Sequence, residues 1–280
     1  MSNPNVLIVG SGGLGSEVVK ILKILKCSVT VIDYDTIETS NLNRQFYFQK
    51  EDAGKFKAKV VAEKTNSKYI IGKIEDTSSS FLGSFDVIFS CLDSVSSRMQ
   101  MNYSFSHSKC KMMVDCGVEG LKAHAKRVTR ATSCLYCIRD FYSDENAPFI
   151  CSLKKLNQKI TAENRNQVLK SIIFQKKEQI HVENNHSDPK YEEIYEEIVD
   201  RFNLNASDDL KTSLFEVKGM FENIIPNVCT INSICANLAV LLAFNAIKDD
   251  FVYFDGSSGI FTNAIEIEKD PTCFVCNLQH

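Results

Sequence analysis

The chain has 280 residues, of which 44% are hydrophobic and 24% charged, as expected for a soluble globular protein with one large α/β core or two domains. Its formal net charge of −3 gives no reason to expect a nucleic-acid partner, which a strongly basic domain would attract. Apolar sequence begins at Val6 with no basic segment or cleavage site before it, so we expect no signal peptide. Eleven cysteines without such a signal favour a reducing compartment, where metal or thiol chemistry is more common than disulfides.

Short apolar runs alternate with helical segments over roughly the first 130 residues. The runs that predict strands are NVLIVG, SVTVID, KYIIGKI, FDVIFSCLD and KMMVDCGVEG, and helices are predicted over residues 14–26 and 55–65. Strands that alternate with helices indicate a parallel, doubly wound α/β sheet of the Rossmann-like kind.

The character of the sequence changes after Cys137. Residues 152–220 are rich in Lys, Glu, Asn and Gln, and SDPKYEEIYEEIVDRF within them predicts a helix that Asp188 caps and Pro189 opens. The helix carries one apolar stripe, which we interpret as packing rather than a ligand site. The stripe consists of Tyr191, Ile194, Tyr195, Ile198 and Phe202.

Apolar sequence returns near the end of the chain. Asn232, Asn237 and Asn245 interrupt the uncharged residues 227–247, so a helix buried in a protein core is a better interpretation than a membrane span. FVYFDGSSGIFTNAIEIE predicts a hairpin with Gly256 near its turn. We therefore predict a nucleotide-binding domain in two parts, residues 1–150 and 219–280, with a mainly helical insertion, residues 151–218, between them.

Four glycines lie between the first strand and the first helix, where backbone amides and the helix dipole favour a phosphate. They are Gly10, Gly12, Gly13 and Gly15. Asp33 ends the second strand, where an acid usually accepts a hydrogen bond from a ribose hydroxyl. A loop of this type is weakly specific, and it fits NAD and ATP equally well.

Three charged residues separate these ligands. Arg44 and Lys57 follow the second strand, and Asp93 ends FDVIFSCLD at what should be the same edge of the sheet. Two cations and a carboxylate that can hold Mg²⁺ suit a triphosphate better than a dinucleotide. The alternative is that all three are solvated loop charges.

Two CxxC pairs stand far apart in the sequence, Cys134 with Cys137 and Cys273 with Cys276. Four thiolates in two such pairs suit a tetrahedral structural zinc ion, which would connect the end of the chain to its middle. The cysteines in apolar runs are interpreted as small core residues. These are Cys27, Cys91, Cys116, Cys229 and Cys235.

Four segments in order resemble the adenylation signatures of the ubiquitin-like modifier-activating enzyme family and of bacterial enzymes that adenylate sulfur-carrier proteins. They are GSGGLG, DYDTIETSNLNRQFYF, GKFKAKV and CLDSVSSR. The resemblance implies a ThiF/MoeB-type adenylation fold with ATP as the ligand, Asp33 on the ribose, and Asp93 serving Mg²⁺ and the reacting phosphate. The nucleotide contacts that it implies are Gly10, Gly12, Gly13, Gly15, Asp33, Asp35, Asn41, Arg44, Gln45, Lys57 and Asp93.

Cys151 lies where the sheet domain gives way to the insertion, beside Lys154 and Lys155, whose charge favours the nucleophilic thiolate. An ordinary buried cysteine is the alternative. In the family, a proline and a cysteine followed by threonine mark the thioester-forming site, and here Ser152 keeps the hydroxyl. The resemblance implies adenylation of a modifier's C-terminus and then thioester formation, with Cys151, Arg44, Lys57 and Asp93 as catalytic residues.

The resemblance also predicts partners. Met1 lies only a few residues before the first strand, which leaves no room for the arginine segment that homodimeric and single-chain relatives place in the neighbouring site. We expect a pseudo-symmetric partner subunit that supplies this arginine in trans, the alternative being a divergent enzyme that manages without it. A ubiquitin-like protein substrate and a conjugating enzyme complete the expected partners, in the cytoplasm or the nucleus.

Several segments look most like the catalytic subunit of the neddylation-activating enzyme, including VDCGVEGLKAHAKRV and IIPNVCTINS. Lys126 is compatible with a basic residue that screens the modifier's tail in that subunit. Such subunits usually continue into a ubiquitin-fold domain that recruits the conjugating enzyme, whereas this sequence stops at His280, so the mode of recruitment is left open.

Other classes remain as alternatives. A SUMO-activating subunit or a sulfur-carrier adenylating enzyme would share the chemistry. A non-catalytic scaffold subunit would tend to lose the zinc cysteines and the nucleotide contacts, which this chain keeps. An NAD(P)-dependent oxidoreductase would leave Arg44, Lys57 and Asp93 without a joint role.

Overall fold

A computed structural model describes residues 3–42, 44–142, 160–161, 165, 168–170, 172–173, 176, 190–221, 229–256 and 260–277. The chain divides into two compact units, one formed by Met1–Glu145 and Asn227–His280 and the other by Asn146–Pro226. The first unit is therefore discontinuous in sequence. The predicted boundary after residue 150 lies outside the described residues.

The described part of the first unit contains one sheet of eight strands in the order β3-β2-β1-β4-β5-β6-β7-β8. The strands are β1 (Asn5–Val9), β2 (Ser28–Asp33), β3 (Lys68–Ile71), β4 (Val87–Ser90), β5 (Met112–Glu119), β6 (Lys122–Val128), β7 (Phe251–Asp255) and β8 (Phe261–Ile265). The pairs from β3 to β5 are parallel, as predicted. The pairs from β5 to β8 are antiparallel. The β7–β8 pair confirms the predicted hairpin, whereas the antiparallel β5–β6 and β6–β7 pairs correct the prediction of a parallel sheet before it. A connection as short as the one between β5 and β6 permits only an antiparallel pair.

The helices with described bounds are α1 (Gly13–Ile24), α2 (Lys57–Thr65), α3 (Ser79–Leu82), α4 (Val95–Ser106), α5 (Lys190–Asn203), α6 (Leu214–Phe221), α7 (Cys229–Ala243) and α8 (Phe274–Asn277). The two helices predicted in the first part of the chain correspond to α1 and α2. Helix α7 is the predicted buried helix, because most of its length lies in the core of the first unit. Among the described helices, none is long and apolar enough to cross a membrane.

The core of the first unit lies on both faces of the sheet, as a doubly wound fold requires. Val6 and Ile8 of β1 join the cluster that contains α1 and α7 residues. Leu7, the residue between them, points to the opposite face, where the cluster contains residues of α4 and of both CxxC segments. The alternation follows from the two-residue period of a strand.

The second unit has its own core, which the apolar stripe of α5 supplies together with Val217 and Phe221 of α6. Four residues of the stripe are buried and Ile194 is partly buried, so their interpretation as packing residues is confirmed. Arg165 forms two ion-pair contacts with Glu216, at 2.6 and 2.7 Å. Asp188 and Pro189, predicted to open this helix, lie outside the described residues.

Candidate functional site

The glycine loop joins β1 to α1 at the edge of the sheet where the parallel strands end. Gly10 has a positive φ of 89°, which a residue with a side chain rarely adopts. A Cβ on Gly15 would lie 1.9 Å from the Gly10 carbonyl oxygen, so the first turn of α1 packs directly on the loop. Gly12 caps α1 without a side-chain hydrogen bond, which leaves the first amides of the helix for an anion.

Asp33 connects the end of β2 to this loop. One carboxylate oxygen accepts hydrogen bonds from the Ser11 amide at 2.7 Å and from the Ser11 hydroxyl at 2.9 Å. The other accepts from the amide of Asp35 at 2.8 Å. Asp33 is buried and oriented by these contacts, so it lies beside the phosphate loop as the ribose-binding role requires. Ser11 was not predicted as a site residue from the sequence, although its position between Gly10 and Gly12 could have indicated this role.

Lys57 is the first residue of α2 and lies against the same strand end. Its ammonium group forms an ion pair with the Asp35 carboxylate at 2.8 Å, and its amide donates to the Asp35 carbonyl at 2.9 Å. The Lys57 side chain is only 12% exposed, whereas that of Asp35 is 46% exposed. The structure thus brings the predicted cation and a predicted acid together.

The segment that follows β2 lies over the glycine loop. The Gln45 side-chain nitrogen is 3.9 Å from the point that a Cβ on Gly12 would occupy, and the Arg44 carbonyl oxygen is 3.6 Å from the same point on Gly13. Asn41 is buried and accepts a hydrogen bond from the Glu38 amide at 3.0 Å, which fixes the turn that carries this segment. Gln45 and the Arg44 backbone therefore lie beside the loop, and Asn41 orders the turn that leads to them.

Asp93 follows β4 and is exposed. Its charge reaches Tyr34, whose pKa is raised first by the Asp35 carboxylate, then by partial burial and by Asp93 and Asp33. The three carboxylates predicted to serve the nucleotide therefore all lie within electrostatic range of the Tyr34 side chain.

The two CxxC pairs meet although 139 residues separate them. Sulfur–sulfur distances are 3.9 Å for Cys134–Cys137, 3.6 Å for Cys134–Cys273 and 3.5 Å for Cys137–Cys276, and all four sulfurs lie within 4.8 Å of one another. A tetrahedral zinc ion with zinc–sulfur bonds of about 2.3 Å separates its sulfurs by about 3.8 Å. The four cysteines therefore have the spacing to hold a metal ion.

The other cysteines follow the prediction only in part. Cys27, Cys116 and Cys235 are buried, and burial raises the pKa of each thiol. Cys91 is half-buried, and Cys229, at the start of α7, is exposed, so its prediction as a core residue is wrong. Cys151, the predicted nucleophile, lies outside the described residues.

Lys126 does not have the position that the sequence interpretation gave it. Its side chain is 0% exposed and forms an ion pair with the buried Asp250. Ser133 and the amide of Ile267 also donate to Asp250, at 3.5 and 3.0 Å. Because a lysine enclosed in this way cannot contact the tail of a bound protein, the interpretation of Lys126 as a screening residue is wrong.

An apolar cavity of about 420 Å³ lies on the antiparallel part of the sheet, lined mainly by aromatic and aliphatic side chains. Phe141 and Phe261 on its lining are 68% and 57% exposed. Exposed apolar surface of this kind is typical of protein interaction sites. The cavity was not predicted from the sequence, because the residues that line it come from segments far apart in the chain.

Taken together, a glycine loop, an acidic strand end and an adjoining lysine on a doubly wound sheet define a nucleotide-binding domain of the adenylation type. The ThiF family profile matches residues 1–273, and the chain belongs to that family. Crystal structures of E. coli MccB share the fold: one solved with ATP has a TM-score of 0.59, 17% sequence identity, and coverage of 98% of this chain and 67% of MccB.

Relatives include NEDD8-activating enzyme E1 catalytic subunits from three organisms. That of Caenorhabditis elegans is 29% identical over 99% of this chain and 70% of the relative. That of Arabidopsis thaliana is 30% identical over 97% and 65%, and that of Saccharomyces cerevisiae 28% identical over 97% of both chains. The chain thus spans about two thirds of the first two relatives and nearly all of the third. These names confirm the enzyme class predicted from the sequence, the ubiquitin-like modifier-activating enzymes.

Proposed function

We propose that the chain uses ATP to adenylate the C-terminal carboxylate of a ubiquitin-like protein. The observation that carries the proposal is the convergence of the glycine loop, Asp33 and Lys57 at one edge of the sheet. The relatives support it, since they are named for the activation of such a modifier.

In the proposed reaction, the loop amides and the start of α1 bind the phosphates while Asp33 accepts from a ribose hydroxyl. An oxygen of the modifier's carboxylate bonds to the α-phosphorus, and the bond from that phosphorus to pyrophosphate breaks. Arg44 and Lys57 stabilise the charge on the phosphates. Lys57 exchanges Asp35 for a phosphate oxygen, and the cost is small because the Asp35 carboxylate is half-exposed. Asp93 would hold Mg²⁺, which would neutralise further phosphate charge.

The second stage forms a thioester. The Cys151 thiolate attacks the acyl-adenylate and releases AMP, and the thioester then passes to the cysteine of a conjugating enzyme. Lys154 and Lys155 beside Cys151 in the sequence support this role, because positive charge favours the thiolate.

The modifier is proposed to be that of the neddylation pathway, and the protein is proposed to work as the catalytic subunit of a heterodimer whose partner supplies an arginine. The support is coverage: relatives of this type match 97–99% of the chain. A SUMO-activating enzyme subunit 2 from Dictyostelium discoideum is 34% identical, but over only 47% of the chain. A cytoplasmic or nuclear location, supported by the cysteine usage, belongs to the same proposal.

A structural zinc ion on the four CxxC cysteines is the remaining part of the proposal. The sulfur spacing fits tetrahedral zinc, and each cysteine offers one sulfur. The site would hold the start of α8 against the segment after β6, without a part in the reaction.

The test mixes the protein and its presumed partner with ATP, Mg²⁺ and a panel of ubiquitin-like proteins. We expect ATP–pyrophosphate exchange with one modifier and a thiol-sensitive adduct on a non-reducing gel. Cys151→Ala should lose the adduct and keep the exchange, while Cys229→Ala, which changes an exposed cysteine, should keep both. Exchange without an adduct in the wild type would leave only a simple adenylating enzyme, and no exchange with any modifier would overturn the proposal.

A matched pair of lysines tests the nucleotide site. Lys57→Gln should lose exchange by at least about tenfold, since one charged contact to a phosphate is lost. Lys59→Gln, on the same helix, should retain it, because the Lys59 side chain is exposed and forms an ion pair with Glu63, at 3.9 Å. Equal activity of the two variants would contradict the role of Lys57.

A further inference from the structure

Asn232 is a buried polar residue with no evident reason to be polar. It lies in the first turns of α7, its exposure is 0%, and its helix neighbours Ile231, Cys235 and Ala236 are buried and apolar. Within the described part of the chain, neither its side-chain nitrogen nor its side-chain oxygen has a hydrogen-bond partner. A buried carboxamide without partners is unfavourable, and an apolar residue of the same shape would stabilise the fold more.

The position of this carboxamide is at the nucleotide site. Its nitrogen lies 2.5 Å from the point that a Cβ on Gly13 would occupy, so it lies directly against the first residue of α1. The Arg44 carbonyl oxygen lies 3.6 Å from the same point. Asn232 therefore lies where the glycine loop, the start of α1 and the segment bearing Arg44 come together.

A second carboxamide has the same character. Gln45 is buried, its side-chain oxygen has no partner among the described residues, and its side-chain nitrogen lies close to Gly12. Two residues that are 187 positions apart in the sequence thus place buried carboxamides with unpaired polar atoms beside the consecutive glycines Gly12 and Gly13. Unsatisfied buried groups of this kind are rare in native proteins, and a bound ion or a catalytic role is among the reasons for them.

We infer that Asn232 is a positioning residue of the nucleotide site, which holds the Gly12–Gly13 turn and the Arg44 segment in the geometry that binds phosphate. This inference rests on the proposed ATP-binding function. When phosphate draws the loop amides toward itself, the Asn232 carboxamide hydrogen-bonds to the peptide groups beside it. The nucleotide-free protein carries the cost of the unsatisfied amide, and the nucleotide-bound protein recovers it.

A positioning role and a packing role predict different effects of one substitution on stability and on ATP affinity. Asn232→Leu keeps the size of the side chain and removes the unsatisfied polar atoms. We expect the nucleotide-free variant to unfold at the same temperature as the wild type or a higher one, yet to bind ATP about tenfold more weakly. A residue that only packs would lose stability and ATP affinity together, or neither.

The experiment measures ATP affinity by calorimetry and thermal unfolding with and without ATP, on the full chain with its partner. Asn237→Leu is the matched control, because Asn237 is on the same helix, is exposed, and donates to the Ser233 carbonyl. It should match the wild type in ATP affinity. If leucine prevents folding, Asn232→Ala and Asn232→Ser replace it, and serine should recover part of the ATP affinity that alanine loses, since it restores a donor and an acceptor.

The outcomes separate this inference from the proposed function. If the wild type binds ATP and Asn232→Leu binds equally tightly, the inference fails and the proposed function stands. A parallel loss of stability and affinity, with no recovery by serine, also overturns it. If neither the wild type nor any variant binds ATP, the proposed function fails and the inference fails with it.

Discussion

The glycines of the phosphate loop differ in what a methyl group would meet. At Gly15 the Cβ would lie 1.9 Å from a backbone oxygen of Gly10, which cannot move without moving the loop. At Gly13 it would lie 2.5 Å from the end of the Asn232 side chain, which has some freedom to shift. At Gly12 the nearest atom is 3.9 Å away, an ordinary contact. The requirement for glycine is therefore steric at Gly15 and Gly13 and weak at Gly12.

We predict a graded response to alanine at these positions. Gly15→Ala should abolish measurable ATP binding and lower stability by about 3 kcal/mol or more, at the upper end of overpacking costs. Gly13→Ala should have an intermediate effect, and Gly12→Ala should fold with nearly wild-type stability. Calorimetry with ATP and chemical denaturation give both quantities. Wild-type ATP binding by Gly15→Ala would show that α1 does not pack on the loop as described.

The ion pair of Lys126 and Asp250 gives a second prediction for single residues. Lys126→Met leaves the Asp250 carboxylate buried without its cation, so the free energy of unfolding should fall by about 3–5 kcal/mol. The preference among modifiers should stay the same, because the ammonium group is enclosed. Chemical denaturation and the modifier panel measure the two effects. A changed preference at unchanged stability would restore the screening role for Lys126.

One buried carboxylate in the first unit, that of Asp115, connects β5 to β4, to α4 and to the segment that carries Tyr142. Asp115 of β5 accepts from Arg98 of α4 at 2.6 Å, from Ser90 of β4 at 2.8 Å and from Tyr142 at 3.0 Å. Burial alone would raise the pKa of Asp115, but Arg98, and then His124, outweigh it and hold the pKa below its usual value. The network fixes the end of β4, the strand that leads to Asp93.

This network predicts that removing Arg98 reverses the contribution of Asp115 to the pH dependence of stability. In the wild type, the contribution of Asp115 is present above the unfolded pKa of about 3.9 and is lost only as the pH falls below it. In Arg98→Met the folded pKa should rise above the unfolded one, so stability should fall as the pH increases from 5 to 8. Urea denaturation at both pH values, relative to the wild type, measures this. Arg98→Met with Asp115→Asn is the control and should remove the added slope; if the single variant shows no such slope, Arg98 does not set the pKa of Asp115.

Strand β6 shows why some elements escape prediction from sequence. Its sequence, KAHAKRV, contains three cations, which is unusual for a strand in the middle of a sheet. The structure compensates the two buried ones with distant partners: Lys126 pairs with Asp250, and Arg127 donates to carbonyl groups at and after the end of α7, including those of Leu242 at 3.2 Å and Asp249 at 3.0 Å. No local pattern contains these partners.

The glycine loop and the CxxC pairs are the opposite case. Gly10, Gly12 and Asp33 are predictable because a strand end and a helix start are local features, and parallel strands bring such ends to one edge. The cysteine pairs are predictable because four thiols in two such pairs imply one metal site. Asn232 is not, since only the packing of α7 on α1 brings it to the loop, and in the sequence it is one asparagine among several in an apolar run.

At the scale of the whole molecule, the second unit interrupts the first. The first unit consists of Met1–Glu145 and Asn227–His280, so these two segments must associate during folding although the residues of the second unit separate them in sequence. Strands β6 and β7 join the two parts through an antiparallel pair, and α7 adds apolar contacts with α1. The cysteine cluster adds a connection at the very end, between the segment after β6 and the start of α8.

Metal removal should therefore weaken the first unit by releasing its C-terminal end. A cross-link that closes a segment of this length, here 139 residues between Cys134 and Cys273, stabilises by roughly 3–5 kcal/mol in the chain-entropy account. We expect about one zinc ion per chain by elemental analysis, and a chelator or Cys273→Ser should lower the unfolding temperature by roughly 6–12 °C. Cys229→Ser, at an exposed cysteine outside the cluster, should leave both the zinc content and the unfolding temperature unchanged. If elemental analysis finds no metal in the purified protein and a chelator does not change its unfolding temperature, zinc is excluded as the group that joins the two CxxC segments.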